Sequence, residues 1–111
     1  MVQNALLAAD LLEKEGIHAE VMNASSVWPL DEGFLAAVSS KNIPLFTMEE
    51  NERTGGFGST VTAHCLDRGM TPPRHVFALP DAYLPHGSRE TCFRRNGLDP
   101  ESVADMIRRM I

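Results

Sequence analysis

The stretch MEENERTGGFGST, Met48 to Thr60, concentrates the residue types most able to do chemistry. Glu49 and Glu50 are adjacent carboxylates, followed by Asn51, and Gly55, Gly56 and Gly58 surround Phe57 just ahead of two hydroxyls that open an apolar helix. Two functional readings compete with one of packing. A carboxylate at the end of a strand can serve as a general base. Free amides at a helix start can hold an anion, and glycines admit close approach by a ligand or another backbone. The phosphate-loop reading lacks its lysine, since the glycines lead into FGSTV, and the order G-G-F-G does not fit G-x-G-x-x-G. The stretch is expected to be a close-packing or interface loop, with one acid solvated and the other an internal hydrogen-bond acceptor for the glycine turn.

A second cluster, PDAYLPHGSRE, places Asp81, His86 and Arg89 in a loop ahead of a helix. His86 beside Arg89 would suit a titrating or anion-binding group. The plainer roles are turn-shaping for Asp81 and a carbonyl contact for His86. His18 and His75 fall in expected strands, and no pair of histidines has metal-ligand spacing. Cys65 and Cys92 lack CxxC spacing and are expected as reduced, partly buried thiols. His64 adjoins Cys65, but neighbours on a helix point about 100° apart, so the two do not face each other.

The elements that position these residues alternate. VQNALLAADLLEKEG predicts a helix with Val2, Ala5, Leu6, Ala9 and Leu12 on one buried stripe and Gly16 as its stop. IHAEVMNA has the period of a strand, with Ile17, Ala19 and Val21 inward. Asp31 is expected to cap a helix carrying Phe34, Leu35 and Val38, and Ile43, Leu45 and Phe46 begin a second strand. Ser59 to Arg68 predicts a helix burying Val61, Cys65 and Leu66, and RHVFALP a third strand ended by Pro80. Ser88 then caps a short helix ending at Gly97, and Asp99 with Pro100 opens a last one with Val103, Met106, Ile107 and Met110 on one face. Strands alternating with helices imply a mostly parallel sheet in an α/β fold. A right-handed β-α-β unit needs a strand before the first helix, yet the sequence opens in that helix.

The chain of 111 residues is one domain by length, and its 43% hydrophobic and 23% charged residues are those of a globular protein. A net charge of -5 with arginines scattered along the sequence argues against nucleic acid as a partner. No apolar run approaches the roughly 20 residues of a membrane span, and the amino terminus lacks the pattern of a signal peptide, so a cytoplasmic protein is expected.

Taken together, NASSVWPLDEGFL, TMEENERTGGFGSTV, ALPDAYLPHGSRE and NGLDPESVADMI resemble, in order and spacing, the C-terminal domain of the 1-deoxy-D-xylulose-5-phosphate synthases, members of the transketolase family. The resemblance covers nearly the whole chain. It departs from the family at Ser25 and Ser26, where an arginine and an aromatic are usual, and at Tyr83, where phenylalanine is commoner. It implies a three-layer αβα fold with a mostly parallel sheet. It also implies that a central strand lies upstream, between those corresponding to His18–Asn23 and Ile43–Met48, so that the chain is a fragment of a longer polypeptide or a truncated product. The family's enzyme joins pyruvate, after decarboxylation, to glyceraldehyde 3-phosphate, using thiamine diphosphate and a divalent metal such as Mg. By resemblance those groups are bound by preceding domains, and no catalytic, cofactor or metal residue falls in this chain. Glu49, Glu50, Asn51, Gly55, Gly56, Phe57, Gly58, Asp81 and His86 are then interface or loop-ordering residues, the partners being the preceding domains and a second copy in a homodimer. The alternatives are a stand-alone interaction or regulatory module, and a free-standing enzyme using His86 with Glu49 or Glu50.

Overall fold

Local signals set most helix ends. In the computed structural model, which describes residues 1–23, 31–81 and 87–111, the Asp31 carboxylate accepts from the Phe34 amide at 2.9 Å and starts α2 (Glu32–Ser40). Ser88 accepts from the Thr91 amide at 3.1 Å to begin α4 (Arg89–Arg95). Asp99 accepts from the Ser102 amide at 3.2 Å, and Pro100, whose missing N–H would have no partner anyway, opens α5 (Pro100–Met110). The remaining helices are α1 (Val2–Glu13) and α3 (Phe57–Asp67). Gly97 turns the chain out of α4 at φ 70°. Asn42 does the same after α2 at φ 59°, a left-handed conformation that its short polar side chain tolerates.

Two strands, β1 (Phe46–Glu52) and β2 (His75–Leu79), pair in parallel, with Phe46 opposite His75 and Met48 opposite Phe77. On one face α1 and α5 pack together over the sheet through Ala8, Leu12, Phe77, Leu98, Val103 and Ala104. On the other, α3 lies against both strands and joins α2 through Leu35, Val61 and Cys65. Helices therefore cover both faces of a parallel sheet, the three-layer αβα arrangement that the family resemblance implies. Both cysteines are buried and unbridged, and burial pushes the Cys65 thiol above its usual pKa.

The sequence expectations fail in four places, each for a physical reason. Residues 17–23 are extended and alternate as expected, with Ile17, Ala19 and Val21 half-buried and His18, Glu20 and Met22 exposed, but they form no strand. Alternation follows from burial of one side, whereas a ladder needs a neighbouring strand, and none pairs with this segment among the described residues. In α1 the buried residues are Ala8 and Leu12, while Val2, 39% exposed, and Leu6, 48% exposed, face outward. That helix is apolar on more than one side, so its sequence does not say which side α5 covers. Leu66 is 63% exposed rather than buried, because α2 and the sheet take the Val61–Cys65 side of α3. The β1 ladder starts at Phe46 instead of Ile43, which is exposed, and Pro44 between them has no N–H to donate to a ladder. No helix among the described residues is long and apolar enough to cross a membrane.

Candidate functional site

The carboxyl ends of β1 and β2 bring the acidic residues and the glycine loop together, and a break in strand register decides how. Met48 pairs with Phe77 and Glu52 with Leu79, so three residues of β1, Glu49 to Asn51, stand against Ala78 alone. Such a bulge twists the strand and re-aims its side chains. Adjacent strand residues also point to opposite faces. Glu49 and Glu50 therefore leave β1 in different directions.

Glu49 turns toward α3. Its Oε1 accepts from the Phe57 amide at 2.8 Å and its Oε2 from the Gly58 amide at 2.6 Å, and the residue is 6% exposed. The first amides of a helix have no partner within it and carry partial positive charge, so a carboxylate placed there satisfies two of them and complements the dipole. The glycines make room for it. A Cβ on Gly56, the N-cap of α3, would sit 2.6 Å from the Glu52 carbonyl and collide with Glu49 Oε1. A Cβ on Gly58 would sit 2.7 Å from Thr47 Oγ1 and collide with Val76 Cγ1. Gly55 instead supplies a backbone bend, at φ 76°.

Glu50 has a side chain 38% exposed and pairs with the Arg89 guanidinium at the start of α4. The Met1 amino group lies 3.5 Å from the same oxygen. Arg89 also lies over the Phe93 ring, 5.2 Å from its centre. Asn51 is exposed. Asp81 closes the loop from the β2 side, accepting from the Thr54 amide at 2.9 Å and from the Thr54 hydroxyl. These two bonds, the hydroxyl's first, hold the Asp81 carboxyl below its ordinary pKa. The Ser59 hydroxyl donates to the Arg53 carbonyl, tying the loop to α3.

The structure thus joins Glu49, Gly56, Phe57 and Gly58 in one hydrogen-bonded cluster and Asp81 with Thr54 in another, with Glu50 facing elsewhere. His86 and Tyr83, together with Ser25 and Ser26, lie outside the described residues. Thr54 was not singled out in the sequence. Its signal is faint: a hydroxyl beside the glycines, bonded to a residue 27 positions away. Chemically, the arrangement can hold a loop closed. Both Glu49 oxygens are engaged by helix amides, so the anion-binding capacity of the α3 start is already taken from within the chain.

Against known proteins, a family profile described as "Transketolase, C-terminal domain" matches residues 1–103. The 1-deoxy-D-xylulose-5-phosphate synthase of Exiguobacterium sibiricum is 38% identical over 110 residues, which are 99% of this chain and 17% of that protein. The synthase of Pelotomaculum thermopropionicum is 40% identical over 110 residues, 96% of this chain and again 17% of the relative. The chain spans less than a fifth of the length of these relatives. A solved structure described as "Split gene transketolase, inactive beta4 tetramer" superposes with a TM-score of 0.84 at 26% identity, covering 98% of this chain and 35% of that one. The family resemblance drawn from the sequence motifs, and the αβα fold that it implies, are borne out.

Proposed function

From the premise that the chain belongs to the transketolase C-terminal domain family, we propose that it is the C-terminal domain of a 1-deoxy-D-xylulose-5-phosphate synthase and contributes contacts rather than catalytic groups. The full enzyme would use thiamine diphosphate and a divalent metal to join pyruvate and glyceraldehyde 3-phosphate. Identity to synthases along nearly the entire chain supports this reading. Cytoplasmic location and a homodimer belong to the same proposal.

The described glycine loop does not offer a pyrophosphate its amides. The two amides best placed for a pyrophosphate, those of Phe57 and Gly58, already bind Glu49. No group of three or more His, Cys, Asp or Glu side chains with metal-binding geometry occurs among the described residues. Engagement of Glu49 is the observation that carries the supporting role. On this reading Glu49, Gly56, Phe57 and Gly58 hold the loop in shape, Gly55 bends it, and Asp81 ties it to β2. Glu50 and Asn51 face the preceding domains or the second copy, and the interface role extends to His86, which lies outside the described residues.

The unpaired alternation of residues 17–23 supports a further element of the proposal. A strand contributed by the preceding part of the full polypeptide would lie between this segment and β1, pairing with a segment that has no strand neighbour among the described residues.

Calorimetry tests the assignment. The 111-residue chain with Mg and thiamine diphosphate is expected to release no binding heat, and tight binding would place the cofactor site here and sink the reading. A second reading, a module acting as a separate chain, draws on the neighbour described as a split-gene transketolase tetramer. Restoration of synthase activity on mixing this chain with separately expressed thiamine-binding domains would favour it.

A further inference from the structure

Away from the two carboxylates, a cleft of about 230 Å³ runs between β2 and α5. Arg53, His75, Asn96, Ser102 and Asp105 line it, together with apolar Phe77 and Met106. Arg53 is the arginine among these lining residues. Arg53 enters from the end of β1, while Arg108 and Arg109 stand on α5 beside Asp105.

Arginines and carboxylates both border the cleft, and Arg108 is shared between Asp105 and Glu15, whose Oε2 lies 2.5 Å from its Nε. Asp105, the carboxylate among these lining residues, has one oxygen 3.0 Å from Arg108 Nη1 and the other 2.9 Å from Arg109 Nη2. Arg53 donates to the Val76 carbonyl at 3.3 Å and forms no salt bridge among the described residues, though its charge acts on Asp81, leaving most of its five N–H donors unspent. The Asn96 amide gives one hydrogen to the Cys92 carbonyl at 2.8 Å and keeps the other. His75 is partly buried with its ring edge-on to Phe77 at 4.7 Å. Burial first, and the Arg53 charge second, hold its pKa below the ordinary value. An anion between Arg53 and His75 would relieve that repulsion and accept hydrogen bonds from both.

We propose that the cleft between β2 and α5 binds a small phosphate-type oxyanion, either free or as the terminal group of a phosphate ester, through Arg53, His75 and Asn96. The site lies apart from the Glu49 cluster, and it stands or falls separately from the synthase assignment. Arg53 supplies the charge-assisted contact, and the planar guanidinium suits two oxygens of a tetrahedral anion. His75 adds a neutral donor that becomes charged once the anion is present. The charged groups that line the cleft with His75 are Arg53 from the β1 end and Asp105 from α5; Asp105 is paired with Arg108 and Arg109, and Arg108 also with Glu15 after α1. The anion therefore raises the His75 pKa, and affinity rises as pH falls.

Nuclear magnetic resonance of the isotopically labelled full chain, titrated with inorganic phosphate or glycerol 3-phosphate and with ionic strength held constant by sodium chloride, tests this. Saturable shifts at His75 and the Asn96 side-chain amide are expected, with about tenfold weaker binding in Arg53→Gln and none of that loss in Arg68→Gln on α3. Tighter binding of glycerol 3-phosphate assigns an ester as ligand, and equal binding assigns the free ion. Sulfate, whose charge is constant across the range, should bind more tightly as pH falls through the His75 titration. Shifts that grow linearly, saturation centred on the Phe57 and Gly58 amides, or unchanged affinity in Arg53→Gln would overturn the proposal.

Discussion

Glu49 and Glu50 are consecutive, share one side-chain chemistry and leave the same strand, yet they face different physical problems. Glu49 is buried, with each oxygen on a helix amide. Glu50 is partly exposed and meets a mobile type of partner, the long Arg89 side chain, itself well exposed. Water competes for the second pair and is excluded from the first. The comparison teaches that the acidic signature at the strand end divides into a structural anion and a surface ion pair, and that only the first ties the glycine loop to the sheet.

The largest effect should come from emptying the buried position. Glu49→Ala leaves two helix-start amides without partners, and the loss should be about 3 kcal/mol by chemical denaturation. Next comes the space that the carboxylate needs. Gly58→Ala drives a methyl into Val76 and Thr47, and overpacking of this kind should destabilise by about 2 kcal/mol. Glu50→Ala removes the partly exposed pairs with Arg89 and the Met1 amino group and should cost less than about 1 kcal/mol. A cost for Glu50→Ala equal to that of Glu49→Ala would erase the distinction between them.

Smallest is the acid response of the outer latch, Asp81 on Thr54. Its folded pKa lies below the ordinary 3.8, so this contribution is present above about pH 4 and lost as pH falls through the lower, folded value. The Thr54 amide shift followed against pH should titrate with a midpoint below 3.8. Replacing the hydroxyl in Thr54→Ala should move the Asp81 midpoint back toward that value. A midpoint at or above it in the unaltered chain would mean that the latch does not form.

Local chemistry made much of this fold legible in advance. Asp31, Ser88 and Asp99 cap helices where their positions said they would, since an N-cap depends on three or four neighbouring residues. The motifs from Glu49 to Gly58 likewise pointed to a tight loop at a strand end. What stayed hidden depends on distant partners. The outward turn of Val2 and Leu6 follows from where α5 docks. The bulge that separates Glu49 from Glu50 follows from pairing with β2, and the Thr54–Asp81 bond joins two loops that no sequence pattern links. Residues 17–23 are the clearest case, because their alternation reports faces correctly and is silent about a neighbour.

Amide hydrogen exchange at Phe57 and Gly58 tests most directly the claim that Glu49 fills the α3 start from within. In the unaltered chain both amides should be protected nearly as well as the Val61 and Cys65 amides deeper in α3. In Glu49→Ala that protection should fall at these two positions while the deeper amides keep theirs relative to the new global stability. Rapid exchange of Phe57 and Gly58 in the unaltered chain, or protection unchanged by the substitution, would contradict the account.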